Sequence, residues 1–282
     1  MARKHITTTY YFAYGSNTSP LQMWERVPRA AYVGNAKLHA YKLDFGGSSY
    51  SRDGAVANIV ETDDGMGSVI GALYQVSQFD LEALDRYEGS AYERVELPVL
   101  FKGQLVQAFT YRLIDPSHVD VPSEQYLRII RHGYSSRGIQ ESQLRDSLNS
   151  LEFNVFVYGS LKRGFGNHRL LESSDFVGKG ETTDRCFAMY SLGSFPGVVA
   201  TDAPVCSVKG ELYRVDLKTM WRLDQLEGHP RFYARQLVTV RHSNRTTKAF
   251  MYVLPESDNP GRRIPKNNWT QTDAHSYSSL YY

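Results

Sequence analysis

Glu88 and Glu227 each stand directly before a glycine at the end of a short predicted helix. A carboxylate at a helix C-terminus faces the unfavourable end of the helix dipole, so this placement lowers stability. One interpretation is an exposed side chain, for which that cost is only about 0.3 kcal/mol. The other turns the side chain inward among aromatic residues such as Tyr92 and Tyr233. Desolvation there raises the pKa of the carboxyl group and makes it a usable general acid/base.

A Tyr-Gly-Ser sequence ends a predicted strand at two places, Tyr14-Gly15-Ser16 and Tyr158-Gly159-Ser160. A glycine turn after a strand lets consecutive backbone N–H groups point into one concavity, where they hold a carboxylate or an oxyanion. An ordinary strand-ending turn explains the same residues, and both interpretations stay open at this point.

Both motifs occur twice because the chain repeats itself. Four further segment pairs follow the Tyr-Gly-Ser pair in the same order and at nearly constant spacing. They are Gly71-Ala-Leu-Tyr74 with Gly210-Glu-Leu-Tyr213, Leu84-Asp-Arg-Tyr-Glu88 with Leu223-Asp-Gln-Leu-Glu227, Tyr92-Glu-Arg94 with Tyr233-Ala-Arg235, and Ala108-Phe-Thr-Tyr111 with Ala249-Phe-Met-Tyr252. The repeat predicts two homologous domains, residues 1–150 and residues 151–282, the second with a polar C-terminal tail from about residue 255.

Each copy has the pattern of an α+β domain built on a closed or strongly curved sheet. Alternating and β-branched runs predict strands over 7–13, 69–76, 94–101 and 105–113, and in the second copy over 154–157, 208–215, 234–241 and 247–254. Short helices are predicted over 77–87 and 217–226, and domain 1 adds a helical stretch over 123–148. Gly46-Gly47-Ser48-Ser49 is predicted to be a loop.

Composition limits the class of protein. The 282 residues are 41% hydrophobic and 22% charged with a net charge of +2, which is typical of a globular chain and argues against a large nucleic-acid footprint. No apolar stretch is long enough for a signal peptide or a membrane span, so we expect a cytoplasmic protein without a membrane partner. The two cysteines and eight histidines match no metal-site spacing.

The ordered motifs of domain 1 resemble those of γ-glutamylcyclotransferases. They include Phe12-Ala-Tyr-Gly-Ser-Asn17, Arg26-Val-Pro28, Leu84-Asp-Arg-Tyr-Glu88-Gly89 and Pro122-Ser-Glu-Gln-Tyr126. Domain 2, with Val157-Tyr-Gly-Ser-Leu-Lys-Arg-Gly164 and Phe195-Pro-Gly197, is similar to the related γ-glutamylamine cyclotransferase and AIG2-like branch. Domain 1 departs from the family at Thr18, where Leu often follows the Asn, and at Gly138-Ile-Gln140.

The resemblance implies two tandem domains, each a small mixed β-barrel flanked by short helices. It implies that Glu88 and Glu227 are the catalytic bases. The substrate-binding residues that it implies are Tyr14, Gly15, Ser16, Asn17, Tyr92 and Tyr126 in domain 1, and Tyr158, Gly159, Ser160, Leu161 and Tyr233 in domain 2.

The implied reaction is the release of 5-oxoproline from a small γ-glutamyl compound, with no cofactor or metal. The α-amine lies within reach of the γ-carbonyl, so its attack is intramolecular. Because that amine is protonated at neutral pH, a carboxylate must take its proton. Two alternatives remain: a module that binds a small ligand without turning it over, and an enzyme for a γ-glutamyl group on a larger intermediate or macromolecule.

Overall fold

The computed structural model describes residues 8–202, 204–255 and 261–275. The chain divides into two compact units, Met1–Ser150 (domain 1) and Leu151–Tyr282 (domain 2). Among the described residues, no helix combines the length and the apolar character that crossing a membrane requires.

Domain 1 is built on a closed five-stranded barrel in the order β1-β5-β2-β6-β7. Strand β1 is parallel to β7 and antiparallel to β5, so the barrel is mixed, as expected. The strands of domain 1 are β1 (Thr8–Ala13), β2 (Ala31–His39), β3 (Tyr41–Ser49), β4 (Gly54–Glu61), β5 (Ser68–Ser77), β6 (Tyr92–Phe101) and β7 (Gln104–Leu113). The helices are α1 (Pro20–Arg26), α2 (Gln78–Glu88), α3 (Glu124–Arg137) and α4 (Ser142–Asn149).

Helices α1 and α2 pack on one side of this barrel. Leu81 and Leu84 of α2 and Met23 of α1 join barrel residues such as Tyr11 and Tyr74 in one buried cluster. Apolar residues three apart on α2 therefore face the barrel, which leaves its last residue, Glu88, at the barrel end.

Two predictions for domain 1 were wrong in detail. The predicted loop at 46–49 is the end of β3, where Gly46 pairs with Val56 and a bulge follows at Gly47, whose φ of 61° suits glycine. The single helix predicted over 123–148 is two helices, because Gly138 adopts a left-handed φ of 65° and ends α3.

Domain 2 repeats the same barrel in the order β12-β8-β14-β13-β9. Strand β8 is parallel to β14 and antiparallel to β12, as β1 is to β7 and β5. The strands are β8 (Glu152–Val157), β9 (Asp175–Thr182), β10 (Phe187–Ser191), β11 (Pro196–Ala200), β12 (Lys209–Asp216), β13 (Ala234–His242), β14 (Arg245–Val253) and β15 (Arg262–Arg263). Its helices are α5 (Leu217–Glu227) and α6 (Gln271–His275). Equal connectivity around both barrels supports the duplication found in the sequence.

The described part of the polar tail packs into domain 2. Trp269 is only 1% exposed and joins the main apolar cluster of the domain. Asn267 is fully buried, donates hydrogen bonds to the Phe187 and Cys206 carbonyls, and accepts one from the Met189 N–H. Residues 261–275 therefore complete the core of this domain.

Candidate active site

The two glutamates end equivalent helices. Helix α2 begins in a capping box between Ser77 and Asp80, and Asp216 caps α5 by accepting the Thr219 N–H at 2.7 Å. Each helix ends at its glutamate because the next residue is a glycine with φ near 65°, a conformation that other residues adopt only under strain. The predicted placement of Glu88 and Glu227 at the helix ends is confirmed.

The Tyr-Gly-Ser turns follow β1 and β8 directly. In domain 1 the Tyr14 hydroxyl donates to the Tyr111 carbonyl at 2.6 Å, and in domain 2 the Tyr158 hydroxyl donates to the Tyr252 carbonyl at 2.8 Å. These bonds fix each turn to the neighbouring parallel strand. Among the described residues, no protein atom accepts the backbone N–H groups of residues 15–17 or 159–161. Each copy therefore has three consecutive backbone donors without a protein acceptor among the described residues.

Glycine is needed in these turns because another chain segment comes close. A Cβ atom on Gly15 would lie 3.1 Å from the Ala57 Cβ, and one on Gly159 would lie 2.8 Å from the Pro196 Cγ. The glycine lets the backbone come close to strand β4 in domain 1 and strand β11 in domain 2, which lie outside the barrels in the sheets β3-β4 and β11-β10-β15.

In domain 2 the turn and the glutamate line one cavity of about 260 Å³. All six residues predicted for this site lie around it: Tyr158, Gly159, Ser160, Leu161, Glu227 and Tyr233. Further lining residues, which the sequence analysis did not single out for the site, include Asn167, Phe195, Pro196, Leu226, Phe232 and Tyr252. The wall is largely apolar, and Glu227 is its one charged side chain among the described residues.

Burial raises the pKa of Glu227 to about 7. No described side chain or backbone group forms a hydrogen bond or ion pair with its carboxyl group. A carboxyl group with this pKa exchanges a proton readily at neutral pH, which is the property that a general acid/base requires.

In domain 1 the turn and the glutamate line a small inner cavity of about 30 Å³. The seven residues predicted for this site surround it: Tyr14, Gly15, Ser16, Asn17, Glu88, Tyr92 and Tyr126. Four of them, Ser16, Glu88, Tyr92 and Tyr126, also line an outer cavity of about 540 Å³. Tyr11 and Tyr111 line the inner cavity as well.

Glu88 differs from Glu227 because it has partners. Arg26 Nη1 lies 2.8 Å from Glu88 Oε1, and the Asn17 amide donates to the same oxygen at 3.0 Å. Both contacts use Oε1, so Oε2 remains available for a proton. The sequence analysis gave no role to Arg26, although it lies in a segment that carries the family resemblance.

A chain of polar side chains holds Arg26 and Asn17 in place. Gln22 donates to Asn17 Oδ1 at 2.7 Å, Arg26 donates to the same atom at 3.0 Å, and Arg52 donates to Gln22 Oε1 at 2.7 Å. Gln22, Arg26 and Arg52 were not predicted for the site.

Tyrosine hydroxyls of both sites form hydrogen bonds to strand β4 in domain 1 and to strand β11 in domain 2. The Tyr92 hydroxyl donates to the Ala57 carbonyl at 2.9 Å, and the Tyr233 hydroxyl donates to the Pro196 carbonyl at 2.9 Å. Burial raises the pKa of Tyr92 and Tyr233, so both stay protonated donors. Tyr126 adds a further contact in domain 1 alone, where its hydroxyl accepts the Ala57 N–H at 3.1 Å. Proline has no N–H, so Pro196 cannot make this bond in domain 2.

A second duplicated network supports the wall behind each glutamate. The Tyr252 hydroxyl donates to Asp224 Oδ1 at 2.7 Å, and Arg235 pairs with Asp224 Oδ2 at 3.1 Å. Domain 1 repeats these contacts with Tyr111, Asp85 and Arg94 at distances of 2.8 Å. Both aspartates lie within a repeated sequence motif, but no function was predicted for them.

Within the described ranges, no group of three or more His, Cys, Asp or Glu side chains is arranged to hold a metal ion.

Comparison with known proteins matches each half of the chain to one family. The sequence model of the family described as "Gamma-glutamyl cyclotransferase, AIG2-like" matches residues 11–133 and residues 155–271. A Methanocaldococcus jannaschii protein, provisionally named a gamma-glutamylcyclotransferase, is 45% identical over 105 residues, which are 36% of this chain and 85% of that protein. The gamma-glutamylcyclotransferase of Bos taurus is 31% identical over 154 residues, 52% of this chain and 80% of its own length.

A solved structure titled "Gamma-glutamyl cyclotransferase" aligns with 30% identity and a TM-score of 0.46, covering 49% of this chain and 86% of that one. The two matched segments of the family model together span most of this chain. The chain therefore belongs to the gamma-glutamyl cyclotransferase, AIG2-like family, as two copies in tandem.

Proposed function

We propose that this protein is a γ-glutamyl cyclotransferase that converts a γ-glutamyl compound into 5-oxoproline and a free amine or amino acid. The observation that carries the proposal is Glu227, a carboxyl group with a pKa of about 7 and no protein partner among the described residues, in the cavity lined by the Tyr158-Gly159-Ser160 turn. A proton acceptor and a set of backbone donors around one small cavity are what this cyclisation needs.

The proposed reaction moves two protons from the α-nitrogen to the leaving nitrogen, forms one amide bond and breaks another. The glutamate carboxylate takes a proton from the α-ammonium group, and the freed amine attacks the γ-carbonyl carbon to form a five-membered ring. The carboxylic acid gives its proton to the leaving nitrogen as the C–N bond of the γ-amide breaks. The regenerated carboxylate then takes the second proton from the ring nitrogen and passes it to the released amine, which departs as an ammonium ion. Because the attack is intramolecular, holding the substrate in a folded conformation removes much of the entropic barrier.

The glycine turn supplies the second part of the machinery. Backbone N–H groups of residues 15–17 or 159–161 have no protein acceptor among the described residues, and they donate to the α-carboxylate or to the developing oxyanion. Tyr92 and Tyr233 help to keep the opposite wall in place through their bonds to Ala57 and Pro196.

In domain 1 the same roles belong to Glu88 and the Tyr14-Gly15-Ser16 turn. Arg26 and Asn17 both contact Glu88 Oε1, so the amine proton goes to Oε2. The ion pair also favours a second candidate function for this domain, the binding of a γ-glutamyl ligand without turnover, because Arg26 already neutralises the carboxylate.

The test is the release of 5-oxoproline, measured by mass spectrometry with a panel of γ-glutamyl amino acids and γ-glutamyl amines. Glu88→Gln and Glu227→Gln are compared singly and together. Loss of a general acid/base lowers the rate by about 10²–10⁴-fold, so each single change removes the activity of its own domain and the pair removes both. Glu82→Gln and Glu172→Gln are the controls, because these exposed glutamates line neither cavity.

A double variant that stays folded and turns over a substrate at the parent rate would refute the assigned role. Activity that disappears with Glu227→Gln alone, while domain 1 still binds the ligand, would establish the binding function for domain 1.

A further inference from the structure

Arg52 places a guanidinium group at the mouth of the domain 1 site, where it has no acidic partner among the described residues. The one hydrogen bond of this group to a described protein atom goes to a neutral amide, from Nη2 to Gln22 Oε1 at 2.7 Å. The guanidinium carbon lies 5.5 Å from the centre of the Tyr126 ring, so the group rests on an aromatic face of the cavity. A guanidinium has five N–H donors, and four of them are left over here.

Arg52 lies in the part of the site into which the leaving group of the substrate extends. Arg26 and Arg52 line the outer cavity but not the inner one, whereas Glu88, Ser16, Tyr92 and Tyr126 line both the inner and the outer cavity. When the γ-glutamyl group lies against Glu88 and the Tyr14-Gly15-Ser16 turn, the amine that leaves extends into the outer cavity, toward the two guanidinium groups.

The positive charge of Arg52 has no ion-pair partner among the described residues, whereas that of Arg26 is balanced by Glu88. Burial lowers the pKa of Arg52, yet an arginine remains protonated at neutral pH. Asp115, the other carboxylate of the outer cavity, is capped by its own loop through the Ser117 N–H at 2.9 Å.

We propose that Arg52 forms an anion-binding subsite in domain 1, which selects γ-glutamyl compounds whose leaving amine carries a carboxylate. This rests on the proposed function, which places the γ-glutamyl group against Glu88 and the Tyr14-Gly15-Ser16 turn. Guanidinium and carboxylate form paired, charge-assisted hydrogen bonds, so one such contact changes affinity by about tenfold or more.

Domain 2 lacks this feature. Its cavity is lined by Phe195, Phe232 and Leu226 and contains no lysine or arginine among the described residues. The described lining of the domain 2 cavity therefore has no cation that attracts a carboxylate on the leaving group, and the negative charge of ionised Glu227 repels such a carboxylate. The two copies select leaving groups of different charge.

Turnover is compared for γ-glutamylalanine and γ-glutamylalaninamide, which differ by one negative charge and little in size. The enzyme is the full chain with Glu227→Gln, so domain 1 is measured alone. The expected ratio of kcat/KM favours the carboxylate by about tenfold or more, and Arg52→Gln reduces that ratio by the same factor. Arg52→Lys restores most of it, because the charge remains. Arg145→Gln is the matched control, since this exposed arginine makes the same charge change and lines none of these cavities.

Binding is measured separately from turnover with glutarylalanine and glutarylalaninamide. These compounds lack the α-amine and cannot cyclise, so calorimetry reports affinity alone. One outcome is that the protein binds glutarylalanine more tightly than glutarylalaninamide, loses this preference with Arg52→Gln, and releases no 5-oxoproline. This outcome overturns the proposed function and supports the subsite. Release of 5-oxoproline with equal binding of the two ligands, or with a preference that survives Arg52→Gln, overturns the subsite and leaves the proposed function standing.

Discussion

Arg26 Nη1 lies 2.8 Å from Glu88 Oε1, whereas the corresponding glutamate of domain 2, Glu227, has no ion-pair partner among the described residues. The difference arises from helix α1, which carries Gln22 and Arg26 to the site in domain 1. In domain 2 the turn is followed instead by Lys162 and Arg163, of which Lys162 donates to the Trp269 carbonyl and Arg163 lies over the Phe176 ring. The two copies therefore share a fold and differ in the electrostatics around the same carboxyl group.

Activity of domain 2 should depend on pH through Glu227. Its pKa of about 7 means that the base form is lost as the pH falls below neutrality. With domain 1 silenced by Glu88→Gln, we expect kcat/KM for 5-oxoproline release to fall about tenfold per pH unit on the acid side of a midpoint near pH 7. An acid limb centred near pH 4.5, the ordinary range of a glutamate, would contradict this assignment.

Stability should respond to the same group in the opposite direction. The folded-state pKa of Glu227 is raised, so folding favours the protonated form, and the stability associated with it is lost as the pH rises from about 4.5 to about 7. Glu227→Gln should therefore stabilise the protein above pH 7, by on the order of 3 kcal/mol, and change little near pH 4. Urea unfolding at pH 4.5 and pH 8 measures the difference. An equal effect of the substitution at both pH values argues against a buried, ionising carboxyl group.

The glycine turn of domain 2 should not tolerate a side chain. Gly159→Ala places a Cβ 2.8 Å from the Pro196 Cγ, so the turn must move. Its backbone N–H groups then no longer point at the substrate. We expect a loss of kcat/KM of about a hundredfold, as for removal of an oxyanion donor. Gly166→Ala is the control, because a Cβ there meets no atom within 4 Å. The measurement is 5-oxoproline release in the Glu88→Gln background, and equal rates for the two alanine variants would refute the prediction.

The repeated Tyr-Asp-Arg network should matter more in domain 2 than in domain 1. The Arg235 and Asp224 side chains are 10% and 17% exposed, compared with 29% and 41% for Arg94 and Asp85. Asp224→Asn leaves the guanidinium of Arg235 without its charge partner in a less hydrated place, so it should lower the free energy of unfolding by about 2–3 kcal/mol. Asp85→Asn should cost less than about 1 kcal/mol, since exposed pairs contribute little. Denaturant titration measures the free energy of unfolding of both variants. A larger loss for Asp85→Asn than for Asp224→Asn would contradict the prediction.

The repeat makes the central motifs visible in the amino-acid sequence. Tyr-Gly-Ser and Glu-Gly recur in register, so the sequence alone pairs each glutamate with one turn in its own copy of the fold. Arg26 and Arg52 have no such signal, because the sequences of α1 and of the segment before β4 do not recur in domain 2. Their place in the site depends on tertiary contacts through Gln22, which local sequence patterns do not encode.

Glycine was the main source of error in the predicted fold. Gly46 and Gly47 suggested a loop, but pairing with β4 and a bulge keep both in a strand. Gly138 is a typical residue for the end of a helix. The apolar residues on both sides of it nevertheless led to the prediction of one continuous helix. In both cases the average preference of glycine was a poorer guide than the particular backbone conformation that it permits.

The tryptophans Trp24 of domain 1 and Trp269 of domain 2 differ strongly in their exposure to solvent. Trp24, the one tryptophan of domain 1, is already 67% exposed in the folded protein, while Trp269 is 1% exposed in the core of domain 2. Indole emission moves to longer wavelength when the ring passes from an apolar surrounding into water. A red shift of the intrinsic fluorescence during denaturation therefore reports the opening of the second half of the chain, without a label and with little contribution from the first.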